Sequence, residues 1–285
     1  MKLSLPLSLS SRAAWLVALP LLALIALAVL LPFGWRSHDL LISCLHGPDC
    51  AVQDLLADSY YAQALWNTVW ISGASTLIAL FIGVGAAIAL AELPRWQGLC
   101  SMLCSLGANF SGVPLAVALI LLFGAQGVLS NAMSRAGLPL PFDLYRNGGL
   151  LVAYVCFQAP LACLLLMAPV QMVEGGLIEA AATLGAGPWH YWRRVGLPVL
   201  LPSLVEVGSL LFANAAAAFA TPFALSGTAA NVLAVRIAAL VSGDIFSQPE
   251  LSALLALLMF LMLTLVIGLG RWLARRLRHG KGGRA

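Results

Sequence analysis

Six apolar runs, each long enough to cross a lipid bilayer, recur along this chain of 285 residues. They lie at about 13–34, 64–91, 100–123, 148–170, 199–222 and 251–273. A helix needs roughly 20 residues to traverse a hydrocarbon core of about 30 Å, and every run reaches that length. With 61% hydrophobic and 9% charged residues, the chain holds far more apolar surface than a water-soluble fold could cover. Backbone groups in lipid must be satisfied within their own segment, so the runs read as helices. The expected fold is an all-α membrane protein with six transmembrane helices. No linker, low-complexity tract or short repeat divides it, so residues 1–285 read as one transmembrane domain.

Basic residues set the orientation. Lys2, Arg12, Arg95, Arg193, Arg194, Arg271, Arg275, Arg276, Arg278, Lys281 and Arg284 fall on one side of the spans; Arg36, Arg135, Arg146 and Arg236 fall on the other. Positive residues concentrate on the cytoplasmic side, which predicts both termini there. The first run follows Lys2 and Arg12, as a signal peptide would. It is longer than an ordinary signal core, and Pro32-Phe33-Gly34-Trp35 is a poor cleavage site, so it reads as a retained span. The net charge of +4 needs no nucleic-acid partner, because a basic tail serves to stop transfer and meet lipid headgroups. Cys44 and Cys50 fall in the first external loop, where an oxidising compartment would permit a disulfide; two free thiols are the alternative. Cys100, Cys104, Cys156 and Cys163 sit in spans as small hydrophobes, and no spacing suggests a metal.

External segments at about 35–63, 124–147 and 223–250 carry turn signals, and the cytoplasmic turn around Leu93-Pro94-Arg95-Trp96 is short. The cytoplasmic segment 171–198 is longer and patterned. Leu177 to Leu184 are helix formers, Gly185 and Gly187 end a helix, and Pro188 opens another. Leu177, Ala180, Ala181 and Leu184 share one small apolar face, while Trp189 and Trp192 give the second helix an aromatic, interface-seeking side.

Glu179-Ala180-Ala181, Gly185 after three residues, and Val195-Gly196-Leu197-Pro198 after nine more resemble the E-A-A-x3-G-x9-I-x-L-P signature of permeases of binding-protein-dependent ABC importers. Valine stands in place of the usual isoleucine. Asn67-Thr68, Val113-Pro114 and Leu122-Phe123-Gly124 are similar to the same family, and the likeness runs over about 60–275. The resemblance implies the type I importer permease architecture in a bacterial inner membrane. It implies a second permease subunit, identical or related, two cytoplasmic ATPase subunits that hold ATP and magnesium, and a periplasmic solute-binding protein. It also implies that 171–198 docks on the ATPase as a coupling helix. Glu179 would make the polar contact, Ala180 and Ala181 the close approach and Gly185 the turn, with Val195, Leu197 and Pro198 closing the motif. The third-span pattern and Ala220–Gly227 look most like the polyamine, ferric-iron and phosphonate branch. The chain has no Walker-type phosphate loop, so it is not expected to be an enzyme.

Intramembrane polar residues are costly and read as functional by default. Glu206 is the clearest, and Asn214, eight residues on and about 80° around a helix, could border the same cavity. Gln158 and Asn109 are further pathway candidates. Against this, Glu206 could face water or pair with Arg193 or Arg194, and Asn and Gln often bond neighbouring helices. Asn67 and Thr68 read as capping or packing residues. An ion-coupled secondary transporter is the alternative function; such carriers usually bury coupling charges in broken helices near the midplane.

Overall fold

The computed structural model describes residues 58–138, 142–174, 177–242 and 248–282, with isolated helical positions between 19 and 38. Most of the first expected span, and the Cys44–Cys50 pair, lie outside the described residues.

The described chain is helical. Helix α1 runs Ser59–Ala91, α2 Pro94–Asn109, α3 Val113–Phe123, α4 Val128–Arg135 and α5 Asn147–Glu174. Helix α6 follows at Leu177–Thr183 and α7 at Pro188–Tyr191, leading through a wide π-helical turn, Trp192–Gly196, into α8 at Leu197–Ala216. Helices α9, Ala220–Ser226, and α10, Leu233–Ser242, precede the long α11, Pro249–Gly282. By length and composition Ser59–Ala91, Val113–Arg135, Asn147–Val173, Trp189–Ala216 and Pro249–Arg278 each suffice to cross a membrane.

Small side chains decide which face of α1 is buried. Asp58 caps its start by accepting the Tyr60 N–H at 2.9 Å. Ala64, Thr68, Ser72, Ser75, Ala79, Gly83 and Ala87 then recur every three or four residues and are buried, whereas Trp66, Trp70, Leu77 and Phe81 point outwards. Lipid is as apolar as leucine, so helices associate where backbones come close, not where side chains are greasiest. A Cβ at Gly83 would stand 2.5 Å from that of Ala162 on α5 and 2.9 Å from the Cys163 nitrogen. Gly270 of α11 is as tightly held against Ser209 of α8, with a Cβ there only 2.7 Å from the serine Cβ.

The bundle has two main cores. One, termed inner for the side that its end of the bundle is expected to face, joins Ala87, Leu166, Val170, Val173, Tyr191, Leu200 and Leu211. An outer one joins Ile71, Leu115, Leu119, Tyr154, Phe157, Leu225 and Val235.

Three expectations are corrected. The third span, read as continuous over 100–123, is two helices parted at Phe110–Gly112, where Gly112 takes φ +76°. That angle favours glycine, and Pro114 restarts a helix in its first turn, where the missing N–H costs nothing. The fifth span, expected to 222, stops at Ala216, and a separate helix begins at Ala220. The stretch from 223, read as an external loop, is largely helical: Ala220–Ala229 and Leu233–Ser242 meet at 68° and together are apolar enough to form a broken span or a re-entrant pair.

Candidate functional site

The patterned segment between α5 and α8 folds as helix, turn, helix. Helix α6 ends in a Schellman motif: the Gly185 N–H donates to the Ala182 carbonyl at 3.0 Å and the Ala186 N–H to that of Ala181 at 3.0 Å. Gly185 sits at φ +76°, so the glycine expected to make the turn does make it. Leu184 and Trp189 flank this turn at 87% and 79% exposure, an apolar pair that nothing among the described residues covers. Glu179 and Ala180 lie within α6. Ala181 does not share an outward face with Leu184: it turns inward and packs on the inner core, as does Trp192. The two tryptophans thus divide, Trp189 outward and Trp192 inward.

The second half of the segment is bolted to the bundle. The buried Tyr191 hydroxyl donates to the Val173 carbonyl at 2.6 Å, near the end of α5, where the last helical carbonyls lack intrahelical partners. The wide turn then carries Val195 to Pro198 into α8 without a break. Gly196, an unspecified position in the signature, is closely packed, since a Cβ there would fall 2.5 Å from the Trp192 ring. A push on α6 and α7 therefore reaches two spans, α5 through Tyr191 and α8 through the continuous backbone.

A second region forms where the helix breaks meet. The Gly112 N–H donates to the buried Thr221 hydroxyl at 2.9 Å, and the Tyr154 hydroxyl donates to the Ala218 carbonyl at 3.5 Å. Irregular backbone at membrane depth survives only where protein or a water-lined cavity satisfies it. Protein groups satisfy it here. A cavity of about 210 Å³ opens beside the junction, lined by Ser111, Gly112, Phe157, Asn214 and Phe219 among others.

The four polar candidates separate. Asn214 is exposed and lines this cavity. Glu206 does not border the same space; it faces another, and pairs at 2.8 Å with Arg278 rather than Arg193 or Arg194. The cause is the close crossing at Ser209 and Gly270, which sets α11 beside Glu206. Gln158 is fully buried between α5 and α1, donating to the Ser75 hydroxyl at 3.3 Å and accepting from Thr76 at 3.4 Å. It acts as an interhelical bond. Asn109 is exposed and donates to the Ser105 carbonyl one turn back, at the end of α2.

Thr68 caps across helices, accepting the Leu233 N–H at the start of α10 at 2.8 Å, while Asn67 donates to the Asn231 carbonyl at 3.1 Å. Tyr191, Gly196 and Thr221 were missed from sequence. Gly112 next to Val113-Pro114 was the one signal that could have exposed a break.

No protein-family profile matches the chain. Curated relatives do. A probable ABC transporter permease protein, y4fN, of Sinorhizobium fredii is 31% identical over 238 residues, 82% of this chain and 41% of the relative. The thiamine transport system permease protein ThiP of Escherichia coli is 28% identical over 276 residues, 93% of this chain and 48% of the relative. A putative ferric transport system permease protein, FbpB 1, of Haemophilus influenzae is 23% identical over 79% of this chain and 36% of its own length. The chain thus spans less than half the length of each. Among solved structures, a chain of the bacterial alginate ABC transporter, in complex with an alginate pentasaccharide-bound periplasmic protein, superposes with a TM-score of 0.71 at 17% identity. The match covers 93% of this chain and 95% of that one, a likeness of fold.

Proposed function

This chain is a homologue of ABC transporter permeases and carries their fold, and on that premise we propose that it forms half of the membrane pathway of an ATP-driven importer. A second permease subunit completes the pathway. Two cytoplasmic ATPases hold ATP and magnesium, and a periplasmic solute-binding protein delivers the cargo. The membrane is the bacterial inner membrane, with both termini cytoplasmic. Thiamine and ferric iron, the cargoes named for relatives, join polyamines and phosphonates as the solutes to test first.

One observation carries the reading: the exposed Leu184–Trp189 ridge sits on a motif-bearing segment that is bolted to α5 and continuous with α8. The ridge docks in a groove of the ATPase, Glu179 adds the polar contact, and closure of the ATPases moves both spans. The junction at Gly112 and Thr221, with Asn214 beside it, lies on the solute path. Glu206 is already tied to Arg278 at the arginine-bearing end of α11, which favours ATP over an ion gradient as the driver. Proteoliposomes holding the permease pair, ATPases and binding protein test this. Uptake follows ATP, and an imposed ion gradient without ATP drives none; uptake on the gradient alone overturns the proposal. Identifying the solute that co-purifies with the binding protein fixes the cargo.

A further inference from the structure

Arg135, Arg146 and Arg236 lie on the side of the spans expected to face outwards, where basic residues are the exception. Arg146 stands in the open, its side chain 84% exposed beside Asp143, and Arg135 occupies the last turn of α4, where a cation suits the helix end. Arg236 differs from both. It is half-buried, and the groups its guanidinium meets are neutral.

Arg236 sits in the first turn of α10 and reaches back across the bend to α9. Its Nε donates to the Asn231 side-chain oxygen at 3.1 Å, and one terminal nitrogen donates to the Thr228 carbonyl at 2.6 Å and to that of Ala230 at 3.4 Å. Both carbonyls belong to the short turn that follows α9. The guanidinium carbon also lies over the ring of Tyr60, at the start of α1, 4.5 Å from its centre. Asn231 extends the link: its amide donates to the Tyr60 carbonyl at 3.4 Å, and its own carbonyl accepts from Asn67 at 3.1 Å. One side chain thus ties the end of α9, the start of α10 and the start of α1. Helix α9 is thereby held at both ends, since Thr221 near its start bonds Gly112 and lines the 210 Å³ cavity. A seven-residue helix held at one end could swing about it; held at both, it has one position.

We propose that Arg236 is a positioning residue for transport, holding the α9–α10 bend against α1 and so keeping the outer end of the pathway closed until the ATPases drive it open. The planar guanidinium fork donates in several directions at once, which an ammonium on a lysine stem does not reproduce, and a cation over an aromatic face needs no acidic partner. The claim rests on the transport reading. Coupling between sites is reciprocal. If closure of the ATPases opens the outer end, then freeing the outer end favours closure, and hydrolysis no longer waits for the binding protein.

The test has two arms. In the purified full chain in detergent, amide exchange over 227–233 is expected to rise about tenfold in R236Q, the scale of losing a charge-assisted hydrogen bond, and to stay unchanged in R146Q. In proteoliposomes with ATPases and binding protein, R236Q is expected to raise hydrolysis measured without binding protein about tenfold, by the same shift, and to lower the solute moved per ATP. R236K is expected to behave as R236Q in both arms. Unchanged exchange in R236Q, or wild-type exchange in R236K, overturns the tie. Faster exchange with hydrolysis unchanged or reduced leaves Arg236 a structural contact and overturns the positioning role. Absence of ATP-driven uptake by the wild-type complex overturns the transport reading and the positioning role with it, while the exchange arm still decides the tie.

Discussion

The inner and outer halves of the bundle are built on opposite plans. In the inner half, α1, α5 and α8 are continuous, and the segment between α5 and α8 is locked down by the Tyr191 bond and the packed Gly196. In the outer half two helices are interrupted, and their loose backbone groups are satisfied across the gap by Thr221 and Tyr154. A rigid end suits the transmission of force, because a continuous helix moves as a unit. An interrupted end suits rearrangement, because only a few hydrogen bonds hold each break. Under the proposed function, the difference would set input and response at opposite ends of one molecule.

Four substitutions break or sharpen that contrast. The largest effect is expected from Glu179→Lys, which should leave membrane insertion and folding intact yet abolish ATP-driven uptake; normal uptake in proteoliposomes would remove Glu179 from the coupling role. Next, Gly83→Val should destabilise the α1–α5 contact by about 3 kcal/mol, because the added carbons have no room beside Ala162. An unchanged melting temperature in detergent would show the helices free to part. Thr221→Val should strand the Gly112 N–H at a cost of about 1–2 kcal/mol and alter transport while leaving ATPase association unchanged. Loss of ATPase binding by that variant would contradict the division between the two ends. The smallest effect on stability, about 1 kcal/mol, is expected from Tyr191→Phe. Its diagnostic readout is ATP hydrolysed per solute moved, which should rise as the bolt to α5 is lost; an unchanged ratio would leave α8 as the sole transmitter.

Hydropathy located α1, α5 and α11 because length and polarity leave lipid few alternatives, and the spacing from Glu179 to Pro198 located the helix–turn–helix segment because a turn and a helix start require particular residues. The breaks were harder to read. At Ala217–Phe219 the chain offers neither glycine nor proline; there the Ala218 carbonyl accepts from the hydroxyl of Tyr154, which is remote in sequence. Pairing was equally hidden. Glu206 follows Arg193 and Arg194 in sequence, yet joins Arg278, 72 positions away, because of a helix crossing set by Gly270. Gln158 looked like a pathway residue for want of any sign that Ser75 and Thr76 stood opposite. The buried face of α1 escapes a hydropathy plot altogether, since it is chosen by smallness and its exposed side is the greasier one.

The wide turn at Trp192–Gly196 also sets the angular phase of everything after it. Deleting a single residue there would rotate the following positions by about 100°, exchanging lipid-facing for bundle-facing side chains down the length of α8. Replacements in this stretch keep the phase, whereas a one-residue shortening resets it for twenty residues at once. Spacing in this stretch is thus under firmer constraint than chemistry, and a frame-preserving indel there would do more harm than most exchanges of side chain.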